Sequence, residues 1–291
     1  MDRVELRQLR YVVAVAETRN FTRAARQCFV AQSALSHQIG TLERELGVKL
    51  FARTSRRVEL TPAGEAFLVG ARQCLEAADR AVSDAAAAVG EVRGRLAIGI
   101  IPTVTAVDIA AVLQKFRERH PQVRVGLHVG ASDVMAAEVA AGDLDVAFLG
   151  LAAGNPPQGV EARELGRGRL VAVVAPTHAL ADRGEVALHQ LVDSPFADFP
   201  VGSGGRVQSD RAFEAAGLER DVAYEMMSAE LMMRFVGRGL AVALLPAALA
   251  HSSPDVRVLG LTDGPSRVEY LAWSRFNPTP ATRAFLSAVP A

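Results

Sequence analysis

Residues 33 to 56 read SALSHQIGTLERELGVKLFARTSR, and no other stretch limits the fold of this chain so tightly. Leu35, Ile39, Leu42 and Leu46 follow one another at intervals of four, three and four, which puts them on one face of an α-helix. The other face opens with Gln32, Ser33, Ser36 and His37, polar groups with almost no charge. Gly47 offers a helix stop. A short apolar step, Leu50 and Phe51, and a basic tip follow at once. Such a helix must dock its apolar side on a small partner while its polar start stays open.

The partner lies just upstream. LRQLRYVVAVAET places Leu6, Leu9, Val13 and Ala16 on one helical face. In NFTRAARQC, Asn20 is an N-cap, and Phe21, Ala24, Ala25 and Cys28 face inward. The FVAQ connector is short. Two helices, a tight turn and a third helix with a polar start make a helix-turn-helix. Ala24 and Ala25 allow a close helix crossing, and Val30 fills the angle. VKLFARTSRRVELT then alternates as a two-stranded ribbon with a polar tip at Thr54 and Ser55, a wing. Charge agrees with a module that meets phosphates. The whole chain has net charge zero, yet residues 1 to 60 hold eleven Lys and Arg against six acids, so a +5 head precedes a −5 body.

TPAGEAFL starts a second helix, with Thr61 as N-cap, Pro62 at the first helical position and Glu65 in the first turn. Leu68, Ala71, Leu75, Ala78, Val82, Ala85 and Val89 continue it at alternating spacings of three and four, an apolar seam suited to a dimer. Packing of that seam on the chain's own body is the alternative. Cys28 and Cys74 have no CxxC or metal-ligand neighbour, so both are expected to be buried thiols.

From Gly94 onward the pattern alternates strand and helix, as in a parallel α/β sheet. GRLAIGIIP is a buried strand, and Pro102 and Thr103 open a helix that ends near ERHP. LDVAFL and LAVALL look alike, and each follows a helix and a Gly, so two similar lobes are expected. The VEYLAWS strand and the ATRAFLSAV helix return to the first.

These residues resemble one family closely. The stretch from LRQLRYVVAVAET to TPAGEAFL is similar to the N-terminal domain of LysR-type transcriptional regulators, and LAIGI, GDLDVAFLG and GLAVALLP resemble its effector domain. The resemblance covers nearly the whole chain. It implies an all-α winged helix-turn-helix head (residues 1–60), a long dimerisation helix (61–90) and a two-lobed α/β effector domain (91–291) of periplasmic-binding-protein type. Lobe I would span about 94–166 and 267–291, and lobe II about 167–266. The implied DNA contacts are Thr22, Arg23, Gln32, Ser33, Ser36, His37, Arg53 and Arg56, with Arg57 contacting DNA or pairing with Glu59 or Glu43. The implied effector residues are Thr103, Ser132, Phe199, Gly202, Ser203 and Gly204. The implied seam is Leu68, Ala71, Leu75, Ala78 and Val82. Partners would be double-stranded DNA, an anionic small molecule, further copies in a homodimer or homotetramer, and RNA polymerase. Two positions depart from the family: Ser33 stands where Pro is usual, and Gly40 where a basic residue is common. Gly40 costs about 1 kcal/mol inside a helix.

Rival classes find less support. None of the six histidines has a partner at metal spacing, and no nucleophile elbow or Walker loop occurs. GSGG at 202–205 precedes a helix but lacks the Lys-Ser/Thr of a phosphate loop. No catalysis, cofactor or metal is therefore expected. A secreted solute-binding protein would share the two lobes, but MDRVELRQLR is too charged for a signal peptide. The longest apolar run, Leu240 to Ala250, is broken by Pro246 and falls short of the ~20 residues of a membrane span. A cytoplasmic protein without a membrane partner is the expectation.

Overall fold

The computed structural model describes residues 4–53, 58–88, 90–276 and 278–290. The chain divides into two compact units, Met1–Val89 and Gly90–Ala291.

The first unit runs α1 (Leu6–Thr18), α2 (Phe21–Gln27), α3 (Gln32–Leu46), β1 (Phe51–Arg53), β2 (Val58–Leu60) and α4 (Pro62–Ala87). Local signals set most of these boundaries. The Asn20 side chain accepts from the Arg23 amide at 3.0 Å and starts α2. Gly47, at φ +70°, ends α3. Thr61 accepts from the Gly64 amide at 3.0 Å and starts α4 behind Pro62. Leu35, Ile39 and Leu42 are fully buried among Val12, Val15, Ala24, Ala25, Leu50 and Phe51, and the Phe21 ring meets Phe51 edge-on.

One expectation fails at α1. Its buried residues are Gln8, Leu9, Val12, Ala14 and Val15, whereas Leu6 is 44% exposed and Val13 only half-buried. Hydrogen bonding allows this rotation. The Gln8 side chain accepts from the Glu5 amide and donates to Gln38 of α3, so a polar residue is buried without an orphaned amide.

The wing is tied to α3 by Glu43, which is buried. Its carboxylate accepts from the Leu50 and Phe51 amides and from Lys49. β1 and β2 pair antiparallel, Phe51 opposite Leu60. The expected tip, Thr54 and Ser55, lies outside the described residues, as do Arg56 and Arg57. The start of α4 is pressed against the wing. The Thr61 hydroxyl donates to the Lys49 carbonyl, and a Cβ on Gly64 would stand 2.1 Å from the Leu50 carbonyl oxygen. Only glycine permits that approach.

The second unit runs β3 (Gly94–Ile100), α5 (Ile109–Arg119), β4 (Val123–Val129), α6 (Ser132–Ala141), β5 (Val146–Ala152), β6 (Glu161–Val174), β7 (Glu185–Val186), β8 (Phe196–Asp198), α7 (Gly204–Ala215), β9 (Val222–Glu225), α8 (Ala229–Gly237), β10 (Ala243–Pro246), α9 (Ala247–Ala250), β11 (Arg257–Leu261), β12 (Ser266–Trp273) and α10 (Pro280–Ala288). The main sheet has the order β4-β3-β5-β12-β6-β11-β7, with β10 also on β6. β3, β4 and β5 are parallel, while β12 runs antiparallel to β5 and β6. The long β6 joins the lobes. It pairs with β12 from Glu161 to Arg169, then with β10 and β11 from Leu170 to Val174.

Helices cover both faces of each lobe, so strands at the centre read as apolar runs, β5 buried from Val146 to Gly150 and β10 along its length. Lobe I packs Leu96, Ile98, Phe116, Phe148 and Phe285 on one face and Met135, Val139 and Leu149 on the other. Lobe II does the same with Leu188, Leu191, Phe196 and Phe213 against Met232, Val236 and Leu245. β12 pairs with β5, and α10 packs Ala281 and Phe285 against Leu96, Phe116 and Phe148.

The helix expected to open at Pro102 and Thr103 instead begins at Ile109, capped by the Asp108 side chain on the Ala111 amide. Glu269 of β12 explains the delay. It accepts from the Thr105 and Ala106 amides and the Thr105 hydroxyl, so it captures the donors that an earlier helix start would use. The cysteine expectation also fails in part: Cys28 is half-buried, but Cys74 is exposed on α4. Burial pushes the Cys28 thiol above its ordinary value.

Candidate functional site

Two regions gather the residues singled out above. The first is the open side of α3. Its buried row fixes the helix, so Gln32, Ser33 and His37 stand exposed on its first two turns, with Ser36 half-buried beside them. Thr22 and Arg23 are exposed on α2, and one Arg23 guanidinium nitrogen donates to the Thr18 carbonyl at 2.8 Å. Arg53 closes β1. Phe29, in the turn between α2 and α3, has a left-handed backbone at φ +55° and a side chain 95% exposed. Arrays of short polar groups on a helix match the donor and acceptor pattern of a DNA major groove.

The second region is a narrow cleft between the lobes. Lobe I supplies Ile101 to Thr103 after β3, Gly130 to Ser132 at the start of α6, Gly150 of β5 and Arg267 of β12. Lobe II supplies Phe199, Ser203 to Gly205 at the start of α7, Gln208 and Met227. The walls lie beyond the carboxyl ends of strands, where open α/β sheets take their ligands. Two helix N-termini meet here. A Cβ on Gly204 would be 3.0 Å from the Gly150 carbonyl oxygen and 3.1 Å from the Ser132 hydroxyl, so α7 approaches α6 closely only because Gly204 lacks one. Helix N-termini present unpaired amides and a positive dipole end to an anion.

The hydroxyls differ in their freedom. Ser132 accepts from the Gly150 amide at 3.0 Å and donates to its carbonyl at 3.1 Å. Ser203 donates to the Pro200 carbonyl at 2.7 Å. Thr103 accepts from Arg267 at 3.0 Å, which leaves its own proton available for a ligand. Gly202 is not among the wall residues; it occupies the turn before α7 at φ +85°. Among the described residues no cluster of three or more His, Cys, Asp or Glu is placed to hold a metal. No described helix is long and apolar enough to cross a membrane.

Two family models cover the chain. Residues 6–65 match the bacterial regulatory helix-turn-helix of the lysR family, and residues 90–291 match the LysR substrate-binding domain. The chain belongs to the LysR family of transcriptional regulators. It is 34% identical over 290 residues to the Hca operon transcriptional activator HcaR of Escherichia coli K12, covering 98% of this chain and 97% of that protein. It is 32% identical over 288 residues to the regulator BudR of Raoultella terrigena, covering 97% and 99%. The crystal structure of full-length CbnR with its target DNA superposes with a TM-score of 0.70 at 27% identity, covering 98% and 99% of the two chains.

As a LysR-family member this protein is a ligand-responsive, DNA-binding transcription regulator and not an enzyme. Among the wall residues that sequence reasoning missed, two carry polar side chains, Gln208 and Arg267. Arg267 is buried beside Glu269 at 3.4 Å, and its guanidinium donates to the Thr103 hydroxyl and carbonyl. Burial lowers its pKa from the ordinary value, and the Glu269 carboxylate partly restores it. A signal for the pair was present. Two opposite charges at i and i+2 on an apolar strand share one face, where each must neutralise the other. Gln208 had no such signal, because a glutamine in a polar helix start reads as solvated.

Proposed function

We propose that this regulator reads operator DNA with Gln32, Ser33, Ser36 and His37, positions itself on phosphates with Thr22, Arg23, Arg53 and Arg56, and changes its DNA contacts when an anionic small molecule enters the interlobe cleft. One observation carries the DNA reading: full burial of Leu35, Ile39 and Leu42 leaves the polar start of α3 exposed. The CbnR relative, solved with its target DNA, supports it. Thr103, Ser132, Phe199, Ser203 and Gly204 form the effector site in this reading, and the convergence of the α6 and α7 N-termini supports that role. Gly202 contributes its turn. The boundaries proposed are 1–60 for the head, 61–90 for the connecting helix and 91–291 for the effector domain. The protein acts in the cytoplasm, where its operators are, and meets RNA polymerase there.

We also propose that copies associate through α4 as a dimer or tetramer. Val82 is 60% exposed, and Leu68, Leu75 and Ala78 are half-buried. Ala71 is already buried within its own chain, so the seam favours the far half of the helix. A carboxylate there would be buried unpaired. Sedimentation of Leu75→Glu/Val82→Glu should therefore show smaller assemblies, and an unchanged mass rejects the seam. The DNA reading is tested by selecting duplexes from a random library with the full chain, then measuring anisotropy. Gln32→Ala/His37→Ala should lose discrimination between the selected and a scrambled duplex. Unchanged discrimination would exclude α3 as the reading helix.

The effector is not peroxide acting through a disulfide. Two relatives are named as hydrogen peroxide-inducible activators, but residues 90–291 of this chain contain no cysteine.

A further inference from the structure

We propose that the interlobe cleft takes a small carboxylate that also bears a hydroxyl or ammonium group on the neighbouring carbon, with Arg267 holding the carboxylate and the Gln208 side-chain carbonyl accepting from the second group. The proposal rests on the reading of the cleft as the effector site.

Each half follows from an unmet hydrogen-bonding group. The Arg267 side chain is 4% exposed. Its Nη atoms are engaged by Thr103 and Glu269, but its Nε donates to no group among the described residues. Glu269 is not a competitor for that donor, because its oxygens already accept from Thr105 and Ala106. A cation with a spare donor, beside two helix N-termini, selects an anion. Gln208 is 3% exposed, and its Nε2 donates to the Gly150 carbonyl at 3.1 Å. That bond fixes the amide, since the flipped orientation would set oxygen against oxygen. Its Oε1 then accepts from no described residue. An orphaned buried acceptor selects a donor. The two groups come from opposite lobes, β12 and α7, so one ligand satisfying both draws the lobes together. A dicarboxylate would put an oxygen against Gln208 Oε1, and is disfavoured.

The full-length protein is titrated calorimetrically with 2-hydroxybutanoate, 2-aminobutanoate, butanoate, 2-hydroxybutanamide and butanedioate, and with the six-carbon homologues of the first four. The hydroxy or amino acid should bind about tenfold more tightly than either the plain acid or the amide, the scale of one lost polar partner. Gln208→Met should erase the advantage of the hydroxyl and keep that of the carboxylate. Arg267→Met alone strands Glu269 and endangers folding, so the charge is removed as Arg267→Met/Glu269→Gln, which should do the reverse. Arg267→Lys, which keeps the charge, should retain the carboxylate preference. Equal binding of hydroxy and plain acids, variants with unchanged preferences, or no binding by any probe overturns the proposal. Met227→Trp separates this from the broader reading, because Met227 is an exposed wall residue. If Met227→Trp blocks every probe while Arg267 and Gln208 variants keep wild-type preferences, the cleft stands and the anchors fall. If the probes bind Met227→Trp unchanged, the site lies elsewhere and the cleft reading falls too.

Discussion

The start of α3 and the meeting point of α6 and α7 both present helix N-termini, which we propose face anions, yet they are built oppositely. At α3 the polar side chains of Gln32, Ser33 and His37 are exposed, and Arg23 is exposed on α2. At the cleft the polar wall side chains are buried, and among the described wall residues one cation, Arg267, sits beside the Glu269 carboxylate. An open face gains affinity from many weak, screened contacts. A closed one relies on a few desolvated groups whose partners are fixed in advance. The head suits a polymer of phosphates, and the cleft suits one small molecule.

Salt should separate them most. A head that neutralises about six phosphates loses about 10³ in DNA affinity between about 50 and 200 mM salt. The affinity of the cleft for its ligand should change far less over that range, because buried pairs are weakly screened. Anisotropy and calorimetry on one preparation check the contrast, and equally steep slopes would break it.

The next effect is on stability. Arg267→Met leaves Glu269 buried without its ion pair, at a cost of about 3–5 kcal/mol. Arg23→Ala, at an exposed site, should cost within about 0.5 kcal/mol. The sole tryptophan, Trp273, lies on β12, so its fluorescence in urea reports unfolding of the effector unit. A midpoint unmoved by Arg267→Met would contradict the buried pair.

Within the head, His37→Ala should cost about 1–3 kcal/mol on the selected duplex and relax preference at one base position. Arg53→Ala should weaken selected and scrambled duplexes alike. If Arg53→Ala abolished discrimination and His37→Ala did nothing, the division into reading and positioning residues would be wrong.

The smallest effect concerns acid. Burial alone would raise the Glu43 carboxyl, but hydrogen bonds from Lys49 and the Phe51 and Leu50 amides outweigh it and hold it below the ordinary carboxylate value. A carboxyl depressed in the folded state stabilises the head fully above its unfolded pKa and loses that contribution as pH falls through the folded pKa. The Ile39 methyl signal should therefore show weaker head stability in acid than near neutrality, and Glu43→Gln should flatten that dependence. Trp273 follows the effector unit separately. An acid response unchanged in Glu43→Gln would assign it to another carboxylate.

How legible the molecule was depended on the distance between interacting residues. Asn20, Gly47 and the Thr61-Pro62 pair act on amides within one turn, and their roles were readable directly. The α3 row was readable because its period alone selects the buried face. The α1 face was misread because Gln8 reads as a solvated residue, whereas a bond to Gln38, thirty residues away, satisfies its amide when buried. The premature helix at Pro102 has the same origin, since Glu269 takes its amides from more than 160 positions away.

By itself, the sequence determined that a basic three-helix head precedes two α/β lobes, because apolar period, caps and glycines work locally and repeat along the chain. It also determined the family, through motifs carried almost unbroken from Leu6 to Leu68. Only the tertiary structure decided what lines the cleft. Thr103, Arg267 and Glu269 meet because β12 returns antiparallel beside β5. Gln208 meets Gly150 because α7 starts on a glycine at the lobe boundary. Burial then makes each unmatched donor or acceptor costly, and desolvation of that kind depends on the assembled fold rather than on neighbours in the chain.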